Sequence, residues 1–218
     1  MSMNDFKGTL YDLLGYFAPG LIAIIGMTVA FQRIFNPQNI LNAIKVEINS
    51  ISAFEVFLLI IVAYIFGHAI ASLSSLIIEK IVMVKIKKMS SALVSENILD
   101  KEHYKLLCTK YTEEFGTQYN DKNIRKVICF VQARQSSIYE TALVFLSFYG
   151  MARNFAMLFL IFAMFELLLF FIYSAGNLYV LLFCILFFAI FFYEYIRFRK
   201  YFIDTILSGF LIAKENNV

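Results

Sequence analysis

Residues 56–78, VFLLIIVAYIFGHAIASLSSLII, run for 23 positions without a formal charge. As a helix, such a run reaches about 34 Å, enough to cross a hydrocarbon core of roughly 30 Å. Ala63, Gly67, Ala71 and Ser75 recur in it at every fourth position, which places a ridge of small side chains on one face. Lipid gives little hydrophobic drive for helix association, so close backbone approach along such a ridge is a main source of contact. His68 stands beside the ridge, and Ser72 follows one turn later. His68 has two readings: a hydrogen-bonded packing residue, or a polar group that lines a path or responds to protonation at membrane depth.

The rest of the chain fits this setting. Hydrophobic residues make up 61% and charged residues 16%, against roughly 45–50% and 25% in soluble domains. Mean hydropathy is +0.73. An all-α integral membrane protein is expected, with room for a few spans and one small polar module. Cys108, Cys129 and Cys184 are odd in number, widely spaced and outside any CxxC pair. That argues against a disulfide framework or a zinc site. The start, MSMNDFKGTLYDLLGYF, is mixed in charge with no small-residue cleavage pattern after it. The first span is therefore expected to be retained.

Taken in order, residues 1–78 hold the first transmembrane pair. One span covers about 13–31, with Pro19–Gly20 as a kink or a helix start and Gly26 and Ala30 as a small pair. The other covers about 56–78. Between them Ile40, Leu41, Ile44 and Ile48 repeat at helical spacing, which predicts an amphipathic helix on the membrane surface. Residues 79–140 carry 11 Lys or Arg and eight Asp or Glu, with Lys80, Lys85, Lys87 and Lys88 at the exit of the span. They predict a small helical module. One helix covers 95–111 with Ser95 as its cap. A break follows at Gly116 and Asn120–Asp121. A second helix starts near Asn123 with Ile124, Val127, Ile128 and Val131 on one face. About 60 residues bury little core alone, so the module is expected to pack on the membrane base or on neighbouring subunits.

Residues 141–196 hold an interfacial lead-in, 141–152, closed by Arg153, and the second transmembrane pair. From Asn154 to Ile196 only Glu166 and Glu194 are charged. The turn-like Ser174-Ala-Gly-Asn177 splits this run into spans at about 154–173 and 178–196. Residues 197–218 form a tail with Phe198, Tyr201, Phe202, Leu207, Phe210 and Leu211 near helical spacing. The fold expected is four transmembrane helices with the module between the second and third. Basic residues number 11 in the module and four in the tail, against two in the first connection and none in the hairpin. The positive-inside bias puts both termini and the module in the cytoplasm.

No catalytic constellation stands out: there is no HExxH, GxSxG, P-loop or dinucleotide fingerprint, and only two histidines, His68 and His103. An enzyme is not expected, and no cofactor or metal. The carboxylates of the module alternate with lysines, as on a solvated helix face. The candidate site residues are the membrane-embedded polar groups His68, Ser72 and Glu166, with the ridge Ala63, Gly67, Ala71 and Ser75. A carboxylate at depth must be neutral, paired or facing water, and His68 and Glu166 are a candidate interhelical pair. Arg153 and Glu194 are expected to snorkel at the boundary. The 25 phenylalanines are expected in lipid-facing and interhelical packing, and Tyr11, Tyr16, Tyr149, Tyr193 and Tyr195 as interface anchors.

The stretches YDLLGYFAPGLIAI, GHAIASLSS and FYGMARNFAM resemble small multi-pass membrane proteins of bacterial antiviral defence loci. Among these the chain is similar to retron-associated transmembrane effectors, which a reverse transcriptase and its noncoding RNA hold in check. The resemblance implies an effector that damages the bacterial inner membrane on infection, and the small-residue ridge suits a homo-oligomer in the lipid bilayer. The resemblance also implies a cytosolic protein or ribonucleoprotein partner encoded nearby, without direct sequence-specific nucleic-acid binding. The alternatives are a channel-like transport component, against which the lack of an inverted repeat weighs, and an anchor or scaffold for a cytosolic partner. Reporter fusions at Asn120 and at the C-terminus should report cytoplasm, and one at Asn42 periplasm. An external Asn120 would overturn the orientation.

Overall fold

The computed structural model describes residues 13–35, 52–82, 95–172 and 176–215, which are helical nearly throughout. A π-helical turn, Leu13–Phe17, leads into α1, Ala18–Phe35. Helix α2, Ala53–Ser74, continues as a π-helical segment, Ser75–Val82. Short α3, Ser95–Ile98, precedes α4, Lys101–Phe115; a 3-10 turn, Asp121–Asn123, leads into α5, Ile124–Arg134. Two long helices complete the chain: α6, Ser136–Ile172, and α7, Leu178–Glu215. Among the described residues three stretches are long and apolar enough to cross a membrane: Ala53–Glu79, Ser136–Ile172 and Leu178–Ala213. Gly15–Phe31 is a shorter apolar helix.

The chain divides into two compact units. The first comprises Met1–Lys80 and Gly150–Tyr195. Here α2 starts three residues before the expected 56, because Ser52 caps it. The Ser52 amide donates to Glu55 Oε2 at 2.7 Å while the Glu55 amide donates back to Ser52 Oγ at 3.3 Å, a reciprocal capping box. Helix α1 runs antiparallel to α2: a Cβ on Gly20 would strike the backbone of Ala63 and Gly67, and one on Gly67 the backbone of Tyr16. Only glycine permits this approach. Phenylalanines join α6 to α7, with Phe155 stacked on Phe191 at 4.9 Å and Phe159 against Phe187 at 5.2 Å. The outer faces of this unit are apolar: Phe54, Phe57, Ile65, Phe171, Leu182 and Leu186 are exposed. A patch of this extent is expected of a surface facing lipid.

The second unit comprises Ile81–Tyr149 and Ile196–Val218. Its core joins Leu107 and Tyr111 of α4, Val127 and Val131 of α5, Ala142 of α6, and Ile206, Leu207 and Phe210 of α7. The module thus draws its core partly from the tail, which continues α7 rather than lying apart. Gly209 lets α7 close on its neighbours: an added Cβ would lie 2.8 Å from Ile138 and 3.2 Å from Val131. The expected α5 face holds, with Val127 and Val131 buried and Ile124 and Ile128 packed beside them.

Several boundaries differ from expectation. The lead-in 141–152 is not separate: α6 runs unbroken from Ser136 through Arg153. The cap of the module's first long helix is Asp100, whose carboxylate accepts from the His103 amide at 2.8 Å. Ser95 is buried instead, its hydroxyl 2.7 Å from Tyr119 Oη and 2.5 Å from Asp121 Oδ1. Burial pushes the Tyr119 phenol up. The His103 amide, and then its ring, hold the Asp100 carboxyl below the usual carboxylate range. A depressed carboxyl lends its cap above its ordinary pKa and loses it as pH falls through the folded value. Gly116 ends α4 with φ +64° and an amide bond to Thr112 O, as the break there required. The surface helix at Ile40–Ile48, the lysines at 85, 87 and 88 and the first half of the 174–177 turn lie outside the described residues.

Phe210 is fully buried and touches the rings of Tyr111, Phe115 and Phe130. Phe210→Ala should cost the second unit about 3–5 kcal/mol. Hydrogen exchange should show α4 and α5 losing protection, and unchanged protection would place the tail outside this core.

Candidate functional site

The polar groups of the first unit gather at two levels. At one, Arg33 on the last turns of α1 meets Glu166 on α6 in a fork: Nη1 donates to Oε2 at 2.7 Å and Nη2 to Oε1 at 2.8 Å. The Asn177 backbone amide also donates to Glu166 Oε1, at 2.5 Å. Glu166 is 4% exposed, so its charge is balanced by a guanidinium rather than by water. Glu166 lies six residues from the end of α6, about 9 Å along the axis. It stands nearer the C-terminal end of α6 than that helix's middle.

At the other level Asn154 of α6 bridges two helices. Its Nδ2 donates to the Gly15 carbonyl at 2.7 Å, and its Oδ1 accepts from Ser74 Oγ at 2.6 Å. Asn154 and Ser74 are both buried. One turn along α2, Glu79 Oε1 accepts from Arg153 Nη1 at 2.7 Å. Arg153 therefore does not simply snorkel: its charge is answered within the unit, which lets α6 pass through it unbroken.

Between the two levels lies the small ridge. Ala63 and Gly67 are buried against α1, and Ala71 is 8% exposed. Ser75 is only half-buried, its hydroxyl 3.4 Å from Glu79 Oε2. A spacing of four advances about 40° beyond a full turn at each step, so the fourth member has rotated off the face. Ser74 takes its inward place. The ridge is thus occupied by the chain's own first helix.

His68 points the other way. It is exposed, stacked on Tyr16 with ring centroids 4.1 Å apart and meeting Tyr64 edge-on at 4.6 Å. Ser72, also exposed, donates its hydroxyl to the His68 carbonyl at 3.0 Å. The candidate pair is not formed within the chain: Glu166 is taken by Arg33, and His68 faces outward. Of the expected interface tyrosines, Tyr195 is fully buried, Tyr193 is exposed, and Tyr16 stacks on His68. Among the described residues no group of three His, Cys, Asp or Glu is placed to hold a metal.

Sequence reasoning missed Arg33, Asn154 and Ser74. One signal was present for Arg33: apart from Lys45 it is the sole basic residue between positions 13 and 78, and it stands two residues beyond an uncharged run. A carboxylate within a span calls for such a partner. Comparisons with protein families, curated proteins and solved structures return no match. The geometry adds one fact of its own: the three stretches that carried the resemblance meet here, through Gly15, Tyr16 and Gly20, through Gly67, His68 and Ser74, and through Asn154.

Glu166→Leu removes the carboxylate from a mostly buried guanidinium and should destabilise the first unit by about 3–5 kcal/mol. The double variant Arg33→Met/Glu166→Leu should recover most of that loss. Unfolding titrations in detergent check both, and equal loss in single and double variants would refute the pairing.

Proposed function

We propose that the chain is a membrane effector of an antiviral defence system, one that permeabilises the bacterial inner membrane when triggered and so stops the infected cell. The observation that carries this reading is the convergence of its three resembling stretches on one packed site. In this reading Gly15–Phe31 acts as a fourth, shorter span beside the three long ones. The helical unit and both termini are cytoplasmic, in keeping with the basic excess of the module and tail. The protein acts without catalysis, through the bilayer, and a cytosolic protein or ribonucleoprotein supplies the trigger to the module. Since Glu166, Asn154 and Arg153 are each bonded within one chain, a conducting path belongs to an assembly of copies.

A second reading is an anchor for a cytosolic partner. It is favoured by an open groove of about 480 Å³ on the second unit, lined by Phe115, Arg125, Lys126, Cys129 and Phe130. Induced expression without neighbouring genes separates the two. The effector should halt growth with loss of membrane potential and entry of an impermeant dye, and His68→Phe should weaken dye entry at equal protein level. Growth arrest without depolarisation, or no arrest at all, would move the anchor ahead.

A further inference from the structure

We propose that the face centred on His68, with Tyr64, Ser72 and Tyr16, is where a second copy of this chain docks within the membrane. The inference rests on the membrane reading of α2 and names the face of assembly that the proposed function leaves open.

The spanning stretch Ala53–Glu79 has its midpoint at residue 66, so His68 lies about 3 Å from mid-span. Ser74, at one tied level of the unit, is six residues farther along, about 9 Å. His68 therefore sits well inside the apolar zone. Its neighbours on the outward surface agree: Ile60, Ile61, Ile65 and Leu73 are exposed and apolar.

The chemistry follows. Among the described residues the His68 ring nitrogens make no hydrogen bond; its ring contacts are the stacked Tyr16 and the edge-on Tyr64. By contrast Ser74, Asn154 and Glu166 of the first unit are buried and hydrogen-bonded. Hydrocarbon offers no donor or acceptor, and an unsatisfied polar group there costs several kcal/mol. A ring left outward at this depth calls for a protein partner.

The patch suits its own copy. A neutral imidazole carries one donor and one acceptor, and a phenol can both give and accept. Two copies related by a two-fold axis present the same set to each other, so a donor on one meets an acceptor on the other, twice. Polar side chains joining helices in this way supply much of the specificity of association in lipid. The small ridge, already filled by α1, is not available for the purpose. The self-association face thus lies on the side of α2 that the small-residue pattern does not mark.

The test uses the full chain in native membranes, with benzoylphenylalanine in place of Tyr64 and, as a control, in place of Leu186, which is exposed on α7. Irradiation should give an adduct of twice the chain mass from position 64 and far less from 186. In reconstituted bilayers, His68→Leu should weaken dimerisation by roughly five-fold, the size of an interhelical hydrogen bond, while His68→Gln retains it. A monomer at position 64, equal adducts at both positions, an adduct with a different protein, or an unchanged dimer in His68→Leu would each overturn the proposal. Extraction of the chain by alkaline carbonate would instead show that the membrane reading has failed.

Discussion

A charge can enter hydrocarbon only in the company of its counter-charge, and the first unit is arranged around that requirement. Glu166 is buried, and Arg33 reaches it from a helix 133 positions earlier in the chain. The fork fixes where α1 ends relative to α6, and the Asn177 amide adds the start of α7 to the same carboxylate. Farther along, Asn154 holds α1 and α2 together through Gly15 and Ser74. In the same unit Gly20 lies directly against the α2 backbone at Ala63 and Gly67. Apolar packing alone would not fix these helices in rotation, because lipid solvates a leucine about as well as a neighbouring helix does.

The second unit is built around a different kind of core. It has an aromatic centre in Tyr111, Phe115, Phe130 and Phe210 and caps at Asp100, Gly116 and Asn120. Its loops alone would give too small a core. The unit reaches a workable size by taking in residues 136–149 of α6 and the end of α7. Gly209 matters there because a side chain would hold α7 away from Val131 and Ile138.

Much of this was legible in the sequence, for local reasons. Long uncharged runs give apolar helices, Gly116 gives a left-handed stop, and the spacing of Val127 and Val131 gives a buried face. What was not legible depended on partners distant in sequence. Arg153 suggested a helix boundary until Glu79 supplied its counter-charge. Ser95 had the look of a cap, but its hydroxyl is drawn into the core by Tyr119 and Asp121, leaving the cap to Asp100. The fourth residue of the ridge failed because strict spacing of four outruns the helical turn. His68 and Glu166 are visible in the sequence as polar groups in apolar runs, but the directions in which they point are decided only by the packed helices.

The charge inside the first unit is neutralised within one chain. Solid-state NMR on protein in bilayers, with 13C-carboxyl Glu and 15Nη Arg, reads this directly. The expected result is strong dipolar dephasing of the Glu166 carboxylate at an N–C separation of about 4 Å, as in a bidentate pair, lost on Arg33→Lys. A Glu166 signal with the shift of a protonated acid and no dephasing from Arg33 would contradict the account.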